Sequence, residues 1–304
     1  MNQSSSLSIF HVSCKSVHSR IILNGEMLKD AGSARLPVVT PAALYGRGVF
    51  TTLAIHNGRP FLWPEHWARL MLHADRANVS RSFLDEEETR AALQTLIEAN
   101  RVREGRARIT LLANNAGKGF WKLDDEAEAR ETHLLIMTGE AHAPPAEDAL
   151  ALTVSPYRVN THSPLAGVKS VNYLEHLLAW EEARARDFHE AVVMNERGEV
   201  VSATMANIFW VRDGTLHTPA LQTGALAGTT RACVLRLAED LGIPIVEGVG
   251  ELAQVGDANE IFLTSAGLGL SLVTTFDFHN YTVPVGSVAL RLHEAFRQLT
   301  LQTE

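Results

Sequence analysis

Leu165-Ala166-Gly167-Val168-Lys169-Ser170-Val171-Asn172-Tyr173-Leu174 is the stretch around which the rest of the chain is read. One lysine stands there among small and apolar residues. Desolvation disfavours an ammonium and lowers its pKa, which turns a lysine into a nucleophilic amine. Taken alone, Lys169 reads better as a solvated loop lysine. Its neighbours along the chain decide between the two.

Downstream, a helix is expected over about 172–186, with Leu174, Leu177 and Leu178 on one side. Glu190 to Asn195 and Glu199 to Val211 read as a hairpin joined through Glu196-Arg197-Gly198. The second strand carries Met205-Ala206-Asn207-Ile208-Phe209. Gly228-Thr229-Thr230-Arg231 opens a helix that runs to about Leu241 and stops at Gly242, with Pro244 beyond. Free N–H groups, the positive end of the helix dipole and two hydroxyls make that opening a plausible anion cup. Alone, it reads better as a simple Thr-capped helix. Ile261 to Thr264 reads as a late buried strand running into Ser265-Ala266-Gly267.

Upstream lies a composition break at 139–148 (GEAHAPPAED), which is linker chemistry. Before it, Ile21 to Glu26 reads as a strand into an Asn-Gly turn. Tyr45-Gly46-Arg47-Gly48-Val49-Phe50-Thr51-Thr52 leads into a strand, with a hairpin turn at His56-Asn57-Gly58-Arg59. Pro64 opens a helix whose buried stripe is expected at Trp67, Leu70, Met71 and Ala74. Arg69 lies beside that stripe and can reach inward, or can snorkel to the surface. Asp85 caps a further helix, with Glu88 as its capping-box partner. Arg108 to Ala113 and His133 to Met137 read as strands of one sheet. Residues 1–19 are Ser-rich and read as a poorly ordered lead-in, with a transit-like peptide as the alternative.

Composition narrows the function. The 304 residues carry 27 Lys+Arg and 35 Asp+Glu, a net charge of −8. That balance argues against a general nucleic-acid binder. No apolar run approaches a membrane span. Two cysteines, Cys14 and Cys233, make neither a disulfide framework nor a thiolate metal site. His66 and His73 share a helix face, but two histidines without a third ligand read as satisfied or surface side chains rather than a metal site. No G-x-S-x-G elbow, complete phosphate-binding P-loop or H-E-x-x-H motif occurs.

Order and spacing then tell more than any single motif. Tyr45 to Thr52, Glu65 to Leu70, Val168 to Leu174, Met205 to Phe209, Gly228 to Arg231 and Leu263 to Ala266 together resemble the fold-type IV pyridoxal-phosphate enzymes over residues 20–290. That family holds branched-chain and D-amino-acid aminotransferases and aminodeoxychorismate lyases. The resemblance implies an α+β, two-domain fold like that of D-amino-acid aminotransferase. A small domain is expected over 20–140, a linker over 141–150 and a larger domain over 151–304, with pyridoxal 5'-phosphate in the cleft between. A cytoplasmic homodimer with an amino-acid-like substrate, and without metal, membrane or nucleic acid, goes with it.

By the same resemblance Lys169 is the Schiff-base lysine and shuttles the proton at the substrate α-carbon. Arg69 grips the cofactor phosphate, with Thr229, Thr230, Ser265 and Ala266 around it. Tyr173 matches a tyrosine that touches the ring oxygen in the branched-chain enzymes, and Asn207 lies beneath the ring. One departure stands out. Ser202 occupies the place, five residues before Asn207, of a Glu that bonds the pyridine nitrogen. Glu199, at an odd offset, is a poor substitute on a regular strand. Phe50-Thr51-Thr52 also departs from the aminotransferases, which carry Glu for the first Thr. Both departures favour an aminodeoxychorismate-type lyase, releasing pyruvate and leaving 4-aminobenzoate. A class IV aminotransferase for branched-chain or D-amino acids is the alternative, and a weakly catalytic cofactor-binding homologue the third reading. Substrate choice is expected to sit in loops 114–122 and 265–272.

Overall fold

The computed structural model describes residues 17–114, 132–141 and 149–302. Cys14, most of the lead-in, most of loop 114–122 and most of the linker lie outside them. The first sheet is antiparallel throughout. It consists of β1 (Val17–Leu23), β2 (Glu26–Leu28), β3 (Gly48–His56), β4 (Arg59–Pro60), β5 (Gly105–Ala113) and β6 (Thr132–Glu140), in the order β2-β1-β6-β5-β3-β4. Turn residues set its hairpins: Asn24-Gly25 and Asn57-Gly58 both take positive φ, as two-residue turns require. In register, Thr51 faces Ile109 and Thr52 faces Arg108 across β3 and β5.

Three helices join this sheet: α1 (Pro41–Tyr45), α2 (Trp63–Arg76) and α3 (Glu86–Asn100). Pro64 stands in the first turn of α2, and the Asp85 side chain accepts from the Glu88 N–H at the start of α3. The buried face of α2 is rotated from the expected stripe. Trp63, His66, Arg69, Leu70, His73 and Ala74 are buried, whereas Trp67 and Met71 are half-exposed. Polar side chains can occupy that face because each finds a hydrogen-bond partner inside.

The second sheet contains β7 (Ala149–Val159), β8 (Glu190–Asn195), β9 (Val200–Ala203), β10 (Asn207–Arg212), β11 (Thr215–Pro219), β12 (Ile245–Gly248), β13 (Glu260–Ser265), β14 (Gly269–Phe276) and β15 (His279–Asn280). Its path is β12-β11-β10-β13-β14-β7-β8-β9, with β15 on β14 and parallel pairs at β11·β12, β14·β7 and β7·β8. Helices α4 (Leu174–Ala185), α5 (Thr229–Asp240), α6 (Leu252–Gly256) and α7 (Val288–Leu301) accompany it. The fold is α+β. One core lies between the first sheet and α2 and α3. Another spans both sheets: Phe61 packs with Phe209, Phe262, Val234 and Phe296.

Two expectations need correction. The strand expected from Glu199 to Val211 is broken: β9 pairs with β8, β10 pairs with β11 and β13, and Thr204-Met205-Ala206 turns between them. The cause is Glu190, whose carboxyl group accepts from the Thr204 hydroxyl and the Met205 N–H and so holds the turn. On α4, the buried residues are Ala179 and Ala183, while Leu174, Leu177 and Leu178 are exposed.

Candidate active site

Lys169 is held by two bonds of its own backbone and one of Val171. Phe50 N–H donates to the Lys169 carbonyl (3.0 Å), Lys169 N–H donates to His73 Nδ1 (3.0 Å), and Val171 N–H donates to the Gly48 carbonyl (3.0 Å). Residues 169–171 thus lie along the start of β3. Only glycine fits at 48: a Cβ there would stand 2.6 Å from the Leu111 carbonyl oxygen. His73 is therefore a satisfied core histidine with a task, to fix the lysine's backbone.

The side chain of Lys169 runs inward, and its Nζ lies 4.6 Å from the Phe50 ring centre and 5.1 Å from that of Tyr173. The Arg108 guanidinium covers the same Phe50 ring at 3.6 Å. Phe50 and Tyr173 meet edge to face at 5.3 Å, and Tyr173 meets His176 at 4.3 Å. Burial first, then the charges of Arg69 and Arg108, lower the Lys169 pKa to about 7. Burial and Lys169 likewise bring His176 down to about 4. Burial and Glu190 raise the Tyr173 phenol to about 12. Burial thus favours the neutral amine of Lys169, beside a phenol that keeps its proton.

A second cluster surrounds the start of α5. Arg69 donates from Nη2 to Thr51 Oγ1 (3.0 Å) and from Nη1 to the Ala227 carbonyl (3.3 Å), while its Nε is buried without a partner. Burial brings its pKa down to about 10. Thr229 and Thr230 are the first two residues of α5, both buried, and no side chain caps the helix at Gly228. Asn207 lies against that N-cap. Its Nδ2 donates to the Leu226 carbonyl (2.9 Å), and a Cβ on Gly228 would fall 2.0 Å from its Oδ1. Asn207 pairs with Thr264, whose hydroxyl is buried without a partner. Ser265 accepts from the Leu268 N–H (3.1 Å) and shapes the turn through Ala266. Thr230, Ser265, Ala266 and His66 line one cavity of about 240 Å³, whose lining does not include Lys169.

The sequence-assigned residues thus fall into two groups. Lys169 and Tyr173 lie together, as do Arg69, Asn207 and Thr229, with Thr230, Ser265 and Ala266 alongside. The Arg69 charge reaches both Lys169 and Tyr173. Ser202 stands apart, half-buried on β9 opposite Val193, and its hydroxyl makes no hydrogen bond among the described residues. Glu199 is spent elsewhere, on Asn195 and Arg197 (2.6 Å each).

Four residues were missed by sequence reasoning. Arg108 occupies a strand whose core face is apolar, so its polar side was open to notice. Glu190 begins a fully buried strand that is apolar from Ala191 to Met194, and a buried carboxyl group there is an anomaly by itself. Burial raises its pKa to about 7. Thr51 and His66 were singled out only as motif members. Among the described residues no group of three or more metal-ligating side chains occurs, and no helix is long and apolar enough to cross a membrane.

Chemically, the site offers a reactive amine, two guanidinium groups, Arg69 buried and Arg108 half-buried, and an uncapped helix start. Comparisons with known proteins give the family. The family description "Amino-transferase class IV" matches residues 48–276. A putative branched-chain-amino-acid aminotransferase of Methanocaldococcus jannaschii is 32% identical over 286 residues, covering 92% of this chain and 96% of that protein. Aminodeoxychorismate lyase of Bacillus subtilis is 26% identical over 280 residues, covering 91% and 94%. The crystal structure of the Escherichia coli branched-chain amino acid aminotransferase superposes with a TM-score of 0.85 at 26% identity, covering 93% of this chain and 95% of that one.

Proposed function

The chain belongs to the class IV aminotransferase family, whose members depend on pyridoxal phosphate, and from that premise we propose that it is an aminotransferase for an amino acid of the branched-chain or D-series class. Tyr173 carries this reading. Its phenol stands beside the Lys169 amine, where the branched-chain enzymes of the family keep a tyrosine. The archaeal relative, at 32% identity over nearly the whole chain, supports the same choice. It thereby moves ahead of the lyase reading.

The residues present fit the cofactor. Arg69 Nε and Thr264 Oγ1 are buried polar atoms without partners. Arg69 and Lys169 have no carboxylate within salt-bridge distance among the described residues. An uncapped helix start, which a dianionic phosphate suits, lies beside Arg69. Arg69, the N–H groups of the first turn of α5 and the hydroxyls of Thr229 and Thr230 would hold that phosphate. Asn207, Tyr173 and Ser202 would face the ring. When bound, the cofactor supplies an aldehyde for amines and a ring that draws electrons from the substrate α-carbon.

This chain's own residues supply the rest. Lys169, with a pKa of about 7, can accept the α-proton and return it at neutral pH. Tyr173 stays protonated and can donate a hydrogen bond to a ring oxygen. Arg108 donates from Nε to Thr110 Oγ1 (3.3 Å), and its Nη groups make no hydrogen bond among the described residues. They can take a substrate carboxylate.

Amino acid alone, added to the loaded enzyme, should convert bound cofactor to its pyridoxamine form, with a keto acid released in equal amount. No such conversion across a panel of L- and D-amino acids would end the aminotransferase reading. The lyase keeps one specific observation, Ser202 in place of a carboxylate. Formation of 4-aminobenzoate from aminodeoxychorismate is its test. The same reading carries a homodimer: Val38, Val39, Tyr45, Leu174, Leu177 and Leu178 are exposed, and Gly46 abuts Asn172 between the two segments. Sedimentation at the mass of one chain would refute it.

A further inference from the structure

A buried line of four side chains runs from Arg69 to the first residue of α5. Arg69 Nη2 donates to Thr51 Oγ1 at 3.0 Å, Thr51 Oγ1 lies 2.7 Å from His66 Nδ1, and His66 Nε2 lies 3.0 Å from Thr229 Oγ1. Thr51 and His66 are each 1% exposed, so water cannot make up for a missing partner.

The hydrogens in this line can be assigned by counting. A guanidinium only donates, so the Thr51 oxygen accepts from Arg69. The Thr51 hydroxyl proton then has one partner in reach, His66 Nδ1. If Nδ1 carried its own proton, the Thr51 hydroxyl would be left buried and unmade, which is costly. Nδ1 is therefore the acceptor, and the imidazole proton sits on Nε2. Burial, then Arg69 and Lys169, hold His66 well below its usual pKa, which goes with a neutral ring. The Nε2–H donates to Thr229 Oγ1. One donor remains at the end of the line, the Thr229 hydroxyl, at the open start of α5 beside Arg69.

We propose that His66 is a positioning residue for the cofactor phosphate: fixed by Thr51 as the Nε2–H tautomer, it makes the Thr229 hydroxyl a donor directed at a phosphate oxygen. This rests on the reading of Arg69 and the start of α5 as the phosphate cup. It also gives Thr51 a purpose. A carboxylate at 51 could accept from both Arg69 and His66 and would leave the ring free to place its proton on Nδ1. A hydroxyl relays direction instead, from Arg69 through the ring to Thr229.

The test compares cofactor-free wild type with Thr51→Val, Thr51→Ser and His66→Asn, titrated with pyridoxal phosphate and, separately, with pyridoxal. Whereas His66→Asn breaks the relay and leaves the Arg69 acceptor in place, Thr51→Val keeps the shape of the side chain and removes the relay together with that acceptor. It should weaken pyridoxal phosphate by about tenfold, the size of a hydrogen bond to a charged group, and leave pyridoxal within about twofold. Thr51→Ser should restore the preference, and His66→Asn should behave as Thr51→Val. Nitrogen-15 spectra of the loaded wild type should show His66 with a protonated Nε2 and a bare Nδ1. A protonated Nδ1, or a Thr51→Val protein with undiminished preference for the phosphate, would overturn the proposal and leave the cup standing. A wild type that binds both compounds equally would remove the cup, and the proposal with it.

Discussion

The two ends of the site are built by opposite rules. Around the start of α5, Arg69, Thr51, His66, Thr229 and Asn207 are tied to one another or to backbone carbonyls. Around Lys169, the amine, the Tyr173 phenol and the Arg108 Nη groups make no hydrogen bond among the described residues, and the Phe50 ring lies against both the amine and the guanidinium. Groups that must hold a ligand are locked before it arrives, whereas groups that must exchange protons are left free to change partners. Burial does both jobs. It makes each unmet hydrogen bond costly at the first end and depresses the amine's pKa at the second.

Removal of one residue from each end tests that division. Lys169→Ala should cost the largest factor, at least about 10³-fold in kcat, because no other amine reaches the reacting atoms. Arg69→Ala should instead weaken pyridoxal phosphate by about 100-fold, the scale of losing one partner of a buried charged contact, with a much smaller loss in kcat at saturating cofactor. Equal losses in kcat from both variants would show that the two ends are not separable.

Glu190 sharpens the comparison, because it is a buried carboxyl group near the reacting end. Its pKa is raised from 4.5 to about 7 by burial, so the folded protein holds a proton that the unfolded chain gives up. Such a group stabilises fully below pH 4.5, and that stability is lost as pH rises through about 7. Glu190→Gln keeps the acceptor for Thr204 and Met205 but cannot ionise. Between pH 5 and 8 the wild type should lose on the order of 2 kcal/mol relative to this variant, read from urea unfolding. A constant difference across that range would mean that Glu190 is ionised throughout and that burial does not hold its proton.

Much of this was legible in the chain. Asn-Gly turns, Pro64, Asp85 and Gly242 punctuate the elements where local chemistry demands it. The helix start at Thr229 follows from a short segment and stands where it was expected. What escaped were relations between distant segments. Nothing local says that Glu190 will capture Thr204 and break a strand after Ala203, or that Thr51 and Thr229, 178 positions apart, will share one imidazole. The α2 stripe misled for a related reason. Hydropathy placed Trp67 and Met71 inside, whereas His66 and His73 took the buried face once tertiary partners satisfied them. Leu174, Leu177 and Leu178 carry the same lesson outward: an apolar helix face need not be turned to its own core.

The smallest expected effect bears on the open end of the site. Along one unbroken strand, Ser202 and Asn207 would stand in fixed relation, but the turn at 204–206 lets each be oriented separately. Ser202 keeps an unengaged hydroxyl, opposite Val193. A hydroxyl can share a hydrogen bond with a ring nitrogen. A carboxylate would also hold that nitrogen protonated and strengthen the ring's pull on electrons. Aminotransfer leans on that pull longer than elimination does, since elimination discharges into a leaving group. Ser202→Glu should therefore raise the ratio of aminotransferase to lyase turnover a few-fold, measured on one preparation with both substrates. It should also shift the absorbance of the bound cofactor towards the form protonated on the ring. A changed ratio with an unchanged spectrum would place the effect in the substrate pocket. An unchanged ratio would show that Arg108, Lys169 and Tyr173 set the electrostatics of this end without help from position 202.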